Sequence, residues 1–247
     1  MESERKEHGV LNRNQIKWIA IIAMVIDHIA WAFVPTVSMP GQIMHFIGRL
    51  TAPTMAYFVA EGYVYTSNIK KYILRMGIFS IISWMPFVYF ETGHLPIAFS
   101  DGNIHIEPYM GVIYTLFLGL LAICLWDRAK WPKWCKVLGV IGLCVISVCG
   151  DWAFFNVLWC LFLYQYRNKP KQKWIAFSAV GILCCVPMLF SEPWWAYLFM
   201  VGIYMVPFLM QFGYNGKLGS KHVINKWFFY IFYPLHLLLL GWLKWGI

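Results

Sequence analysis

This sequence predicts an all-α, polytopic integral membrane protein of about nine transmembrane helices (8–10), with a cytoplasmic N-terminus. Three observations carry that expectation. Of 247 residues, 60% are hydrophobic and 13% charged, whereas about a quarter of the residues in an ordinary soluble domain are charged. The apolar residues are not periodic; they come in long blocks of bilayer-spanning size. The basic residues gather in short clusters between those blocks, as the positive-inside rule requires. That clustering also sets aside nucleic acid as the partner of the +9 net charge.

Residues 1–14, with Arg5, Lys6 and Arg13, form a short cytoplasmic leader, and residues 15–247 a single transmembrane domain. Span 1, residues 15–34, ends at Pro35. It is too long for a cleavable signal peptide and lacks a small-residue cleavage site. A short uncharged loop with Pro40 and Gly41 leads to span 2, residues 43–66, which carries His45, Arg49 and Glu61. The basic connector 67–71 precedes span 3, residues 72–90, with Arg75 in its first turn and Pro86 near its end. The long loop 91–108 holds Glu91, His94, Asp101, His105 and Glu107 and no Lys or Arg.

Span 4 covers 109–126, and the loop after it carries Arg128, Lys130, Lys133 and Lys136. The block 137–166 is interrupted once, at Gly150-Asp151. Basic loops flank it on both sides (Arg167, Lys169, Lys171 and Lys173 follow), so it must cross an even number of times. It therefore reads as a tight hairpin whose arms, about 15 residues each, are short for a core of about 30 Å. Span 7 covers 174–190, Ser191-Glu192-Pro193 turns the chain, and span 8 covers 194–212. A loop with Lys217, Lys221 and Lys226 leads to span 9, residues 225–243, with Pro234 and His236. In this topology 18 of the 20 Lys and Arg, all but Arg49 and Lys244, fall on the cytoplasmic side.

Seven cysteines lie mostly inside apolar blocks without zinc-type spacing to histidines, so they read as small apolar residues. No metal site is expected, because the histidines are scattered.

The functional expectation rests on ionisable residues at membrane depth. Span 1 places Asp27 and His28 side by side where hydrocarbon should be, and such residues mark functional sites by default. Lys17 lies eleven residues earlier, about three helical turns, so Lys17 and His28 share one face about 16 Å apart. Asp27, His28, His45, Arg49, Asp151 and His236 all fall in one outer layer. Asp27 and Arg49 read either as a structural ion pair tying spans 1 and 2 or as groups orienting His28. His45 lines the outer interface or the site, and His236 follows the kink residue Pro234. At the inner ends, Lys17, Lys70, Lys71 and Arg75 either set topology or form a phosphate-binding mouth, with Glu61 pairing among them.

The runs LNRNQIKWIAIIAMVIDHIA, HFIGRLTAPTMAYFVAEGY and KKYILRMGIFSIISWMPF, with the tail FFYIFYPLHLLLLGWL, resemble the TraX family. That family is named for a conjugative-plasmid protein that N-acetylates F pilin. The Lys17–His28 spacing is similar to the R/K-x10-H motif of the acyltransferase-3 family. The paired arginines often found after span 2 there are represented here only by Lys71 and Arg75.

The resemblance implies an acyltransferase of the cell inner (plasma) membrane that moves an acyl group, acetyl in the first instance, from cytoplasmic acetyl-CoA or another acyl-CoA. The acceptor would be an amine or hydroxyl of an extracytoplasmic peptide, pilin N-terminus or glycan. The CoA diphosphate would rest on Lys17, Lys71 and Arg75, with Lys70 and Glu61 completing the mouth. The thioester would then lie near His28, acting as general base with Asp27 or Arg49 orienting it, or becoming transiently acylated. Arg49 and His236 would complete the catalytic layer, and His45 and Asp151 would face the acceptor. The alternative from a different class is a proton-coupled secondary transporter using the Asp/His/Arg layer. No inverted repeat is visible to support it. A third reading is an assembly protein whose polar layer only specifies packing.

Overall fold

The computed structural model describes residues 9–100, 103–219 and 223–246. The leader cations Arg5 and Lys6, together with Asp101 and Lys221, lie outside the described residues, as does the side chain of Lys226. The chain is 78% helical. Among the described residues, five segments are long and apolar enough to cross a membrane: Arg13–Phe33, Ile69–Thr92, Pro170–Phe190, Trp194–Gly213 and Trp227–Trp245.

The segments expected to make the other four crossings form shorter helices, below the length of a full span. Expected span 2 is two helices, α2 (Met39–Gly48) and α3 (Thr51–Tyr65), after α1 (Arg13–Phe33). Pro53 accounts for the break: its ring conflicts with the carbonyl four residues back, at Arg49. Pro86 acts in the same way toward Ile82, where α4 (Ile69–Ile82) gives way to α5 (Trp84–Thr92) at Ser83. The loop expected at 91–108 contains a small antiparallel hairpin, β1 (Ile97–Ser100) with β2 (Asn103–Ile106), in which Ile97 pairs with Ile106. α6 spans Val112–Arg128.

The hairpin expected between residues 137 and 166 is present. α7 (Lys133–Ile146) passes through a 3-10 turn (Ser147–Cys149) into α8 (Ala153–Gln165). Gly150 is required at the turn, because a side chain there would meet Thr115 and Tyr114. α8, with 13 residues, rises only about 20 Å. α9 (Pro170–Cys185) ends in a 3-10 turn. The chain then turns at a cis Glu192–Pro193 bond into a 3-10 helix (Trp194–Tyr204), α10 (Met205–Phe208) and one π turn (Leu209–Gly213). α11 is Val223–Trp245.

The described residues divide into two compact units, Met1–Met55 with Gly181–Phe232, and Ala56–Val180 with Tyr233–Ile247. In the first, Ile16, Ala20, Ala30, Ile203 and Val206 are buried, and Gly9–Arg13 is tied to the loop after the π turn by Leu11 N donating to the Gly213 carbonyl and Arg13 N to that of Lys217. In the second, Leu118, Ala122, Val140, Val157 and Leu161 form a core between α6, α7 and α8. Many apolar side chains stay uncovered, among them Leu74 and Ile81 on α4, Val145 on α7 and Ile175 on α9, each 63–68% exposed. Apolar surface costs roughly 25 cal/mol per Å² in water, so these faces belong against lipid. All seven cysteines are free thiols.

Candidate active site

The first unit assembles a polar cluster from α1 and α2. Asn12 caps α1 through a capping box with Gln15, so the helix starts firmly and carries Asp27 and His28 three to four turns in. α2 brings His45, and Arg49 sits at its C-terminal cap. Asp27 accepts two hydrogen bonds, one per carboxylate oxygen. Arg49 Nη2 donates to Oδ2 at 2.6 Å, and His45 Nδ1 donates to Oδ1 at 2.8 Å. Asp27, His45 and Arg49 are all buried, His45 completely. Arg49 also donates through Nε to the His45 carbonyl at 3.3 Å, and its guanidinium lies 5.1 Å from the Phe199 ring. A buried carboxylate between a guanidinium and an imidazole N–H is charge-balanced, as burial demands.

This arrangement fixes the His45 tautomer. With Nδ1–H given to Asp27, Nε2 carries the lone pair, and that atom is buried without a hydrogen-bond partner. The ring is held between Trp31, at 4.2 Å between centroids, and Phe199, at 5.1 Å. Gln42 places Phe199: its amide donates to the Thr36 and Ala196 carbonyls and its oxygen accepts from Phe199 N. Gly48 permits the close approach of α2, because a Cβ there would overlap the Asp27 side chain. Gly48→Ala is expected to cost about 1–3 kcal/mol, the usual penalty for overpacking. Thermal unfolding checks this; an unchanged midpoint would show that the two helices do not touch at Asp27.

His28 is partly exposed, and its Nδ1 hydrogen-bonds the Met24 carbonyl at 2.8 Å, one turn back on α1. Nδ1 therefore holds the proton, and Nε2 is the basic atom. Sequence reasoning placed Asp27 or Arg49 as the group orienting His28; the carboxylate instead receives His45, and a helix carbonyl holds His28. Lys17 lies on the same α1, its ammonium 4.9 Å from the Phe229 ring. Trp31, Gln42 and Phe199 went unnoticed in the sequence, although Trp31 stands one turn beyond Asp27 on α1.

The remaining expected residues lie in the second unit. His236 is buried on α11 with its ring 5.6 Å from that of Tyr233. Asp151 occupies the α7–α8 turn, where its carbonyl accepts from Thr115 Oγ1 at 2.8 Å and its N–H bonds the Met110 carbonyl. Lys70 and Lys71 are exposed at the start of α4, and the Arg75 guanidinium lies 5.2 Å from the Tyr72 ring. Glu61 is partly exposed on α3. Among the described residues, no three His, Cys, Asp or Glu side chains gather as a metal site.

Comparison with known proteins places the chain. The family model described as TraX protein matches residues 12–244. A probable fimbrial assembly protein FimC, serogroup H1, of Dichelobacter nodosus is 32% identical over 243 residues, covering 92% of this chain and 93% of that protein. An uncharacterized protein of Rickettsia prowazekii (strain Madrid E) is 31% identical over 103 residues, 41% of this chain and 39% of its own length. No solved structure matches.

Proposed function

This chain belongs to the TraX family, and on that premise we propose that it is a membrane-embedded acetyltransferase. It takes acetyl from cytoplasmic acetyl-CoA and delivers it to an amine or hydroxyl of an extracytoplasmic acceptor, a pilin or fimbrial N-terminus in the first instance. The protein sits in the inner membrane with nine crossings and its N-terminus in the cytoplasm. The shorter helices α2 with α3, α6, α7 and α8 supply the other four crossings. Lys70, Lys71 and Arg75 on α4, with Glu61 on α3, form the donor's mouth on the cytoplasmic side.

The observation that carries this reading is the pair of imidazoles beside a buried ion pair, each with its Nδ1 proton engaged. In the proposed step, His28 Nε2 takes the proton of the attacking amine as its nitrogen bonds to the thioester carbon. The C–S bond breaks, CoA leaves as thiolate, and the proton passes from His28 to the sulfur. A fimbrial assembly role for the Dichelobacter relative supports a pilin-class acceptor.

A second reading of the base is favoured by one observation. His45 Nε2 is buried and unpartnered, which costs about 1–3 kcal/mol until a donor reaches it. A carboxylate-held imidazole with a bare nitrogen is suited to receive a proton, so His45 stands as the alternative base.

The test uses the purified protein in nanodiscs. Acetyl-CoA and CoA should raise the unfolding midpoint, by about 2.7 kcal/mol of stabilisation at 100 times the dissociation constant. A peptide with a free N-terminal amine should accelerate thiol release from acetyl-CoA. Absence of both responses would refute the transferase and favour the transporter.

A further inference from the structure

A cavity of about 230 Å³ lies wholly within the second unit, where the C-terminal ends of α3 and α8 meet the start of α9. Its lining includes Tyr57, Glu61, Tyr65, Tyr164, Arg167 and Lys173. The two cations came from the sequence only as topology markers. In the structure both rest on aromatic faces. The Arg167 guanidinium lies 4.3 Å from the Tyr164 ring, with Nη1 donating to the Tyr164 carbonyl at 3.0 Å. The Lys173 ammonium lies 5.4 Å from the Tyr57 ring and 4.9 Å from that of Trp174. Tyr57 and Trp174 are nearly parallel, at 8°.

The wall is rigid behind its lining. Tyr164 donates to Asp127 Oδ1 and Tyr63 to Oδ2, each at 2.6 Å, and Arg128 Nε donates to the Tyr63 hydroxyl at 3.0 Å. Lys169, on the connection that carries Arg167, and Lys171, in the first turn of α9, are exposed and add positive charge to this stretch of chain. Such a concentration of one sign draws anions.

The lining is not that of a simple anion site, because Glu61 would repel phosphate. Its carboxylate instead accepts hydrogen bonds, as from an exocyclic amine. Flat aromatic faces, an acceptor and two cations in one lining together match an amino-purine nucleotide. Ligand pockets for whole small molecules run about 300–1,000 Å³. A cavity of 230 Å³ therefore suits a nucleobase and sugar, leaving phosphate at the exposed Arg167.

We propose that this cavity binds the phosphoadenosine end of the CoA donor: Tyr57 and Tyr164 flank the base, Glu61 accepts from its amino group, and Arg167 and Lys173 hold phosphate. The identity of the donor rests on the transferase reading above, whereas the site itself rests on the cavity. Arg167 forms the planar, bidentate contact that phosphate geometry favours, and Lys173 adds a point charge.

The experiment titrates adenosine 3′,5′-bisphosphate into the full-length protein in nanodiscs by calorimetry. Binding is expected in the native protein, weakened about tenfold or more in the double variant Arg167→Ala/Lys173→Ala. Inosine 3′,5′-bisphosphate, which lacks the amino group, should bind more weakly than the adenosine compound, and Glu61→Gln should narrow that difference. Circular dichroism of the variants controls for folding. No binding by the native protein, or equal affinity in the double variant, overturns the assignment. Thiol release is measured alongside. If acetyl transfer proceeds with the double variant unaffected, the subsite falls and the transferase stands. If the bisphosphate binds and responds to the variants while no acetyl moves, the subsite stands and the transferase falls.

Discussion

His28→Ala is expected to abolish acetyl transfer, lowering thiol release from acetyl-CoA by about 10²–10⁴-fold, the usual worth of a positioned general base. The protein should remain folded. His28 is partly exposed, and its Nδ1 bonds a carbonyl of its own helix, so removing it breaks one local contact and opens no large cavity. The free energy of unfolding should therefore fall by no more than about 1–2 kcal/mol. The control is His45→Gln, which keeps a polar side chain facing Asp27 but removes the imidazole base. If His28 is the base, His45→Gln loses less activity than His28→Ala, and the loss tracks stability. If His45 is the base, the order reverses, and the pH dependence of the remaining activity changes with it. Undiminished turnover in both variants would remove imidazole chemistry from the mechanism altogether. Activity and unfolding must be read on the same preparations, so that a folding defect is not scored as a chemical one.

The histidine question also shows where sequence reading stops. Helix α1 was legible because length, apolar content and flanking polarity agree over residues 15–34, and the structure extends it only to Arg13. The turn at Gly150 was legible from the single interruption of the apolar block at Gly150-Asp151, where the structure joins α7 to α8. The break between α2 and α3 was carried by Pro53 but masked by continuous hydropathy across residues 43–66. A span read by composition does not register a conflict with the carbonyl four residues back.

The pairing of Asp27 with His28 was the weaker inference for a simple geometric reason. Adjacent residues on a helix point about 100° apart. Asp27 therefore faces α2 while His28 occupies the neighbouring face. Which residue α2 would offer depends on helix packing, and spacing along one chain does not encode that. Gly48, placed to let α2 close on Asp27, was the one local signal, and it is visible only once the two helices are side by side. Arg167 and Lys173 were masked differently: a cation that sets topology and a cation that binds phosphate leave the same mark in a sequence.

The ion pair at the centre of the first unit makes the second large prediction. Arg49→Met leaves the Asp27 carboxylate buried with only the His45 N–H to satisfy it, and Asp27→Asn leaves the Arg49 guanidinium without its counter-charge. Removing one partner of a buried pair typically costs about 3–5 kcal/mol, so each single variant should unfold far more readily than the native protein. The double variant Asp27→Asn/Arg49→Met carries no stranded charge, and it should be less destabilised than the sum of the two by about 1–3 kcal/mol. His45 reports on the same cluster. With Asn at position 27 the carbonyl oxygen still accepts from Nδ1, but without a carboxylate's charge, so activity should fall in the double variant even where stability recovers. That split separates a pair that only ties α1 to α2 from one that also serves the chemistry. Additive losses in the cycle would mean that Asp27 and Arg49 do not meet in the folded membrane protein. Full activity in the double variant would mean that the pair holds the helices and nothing else.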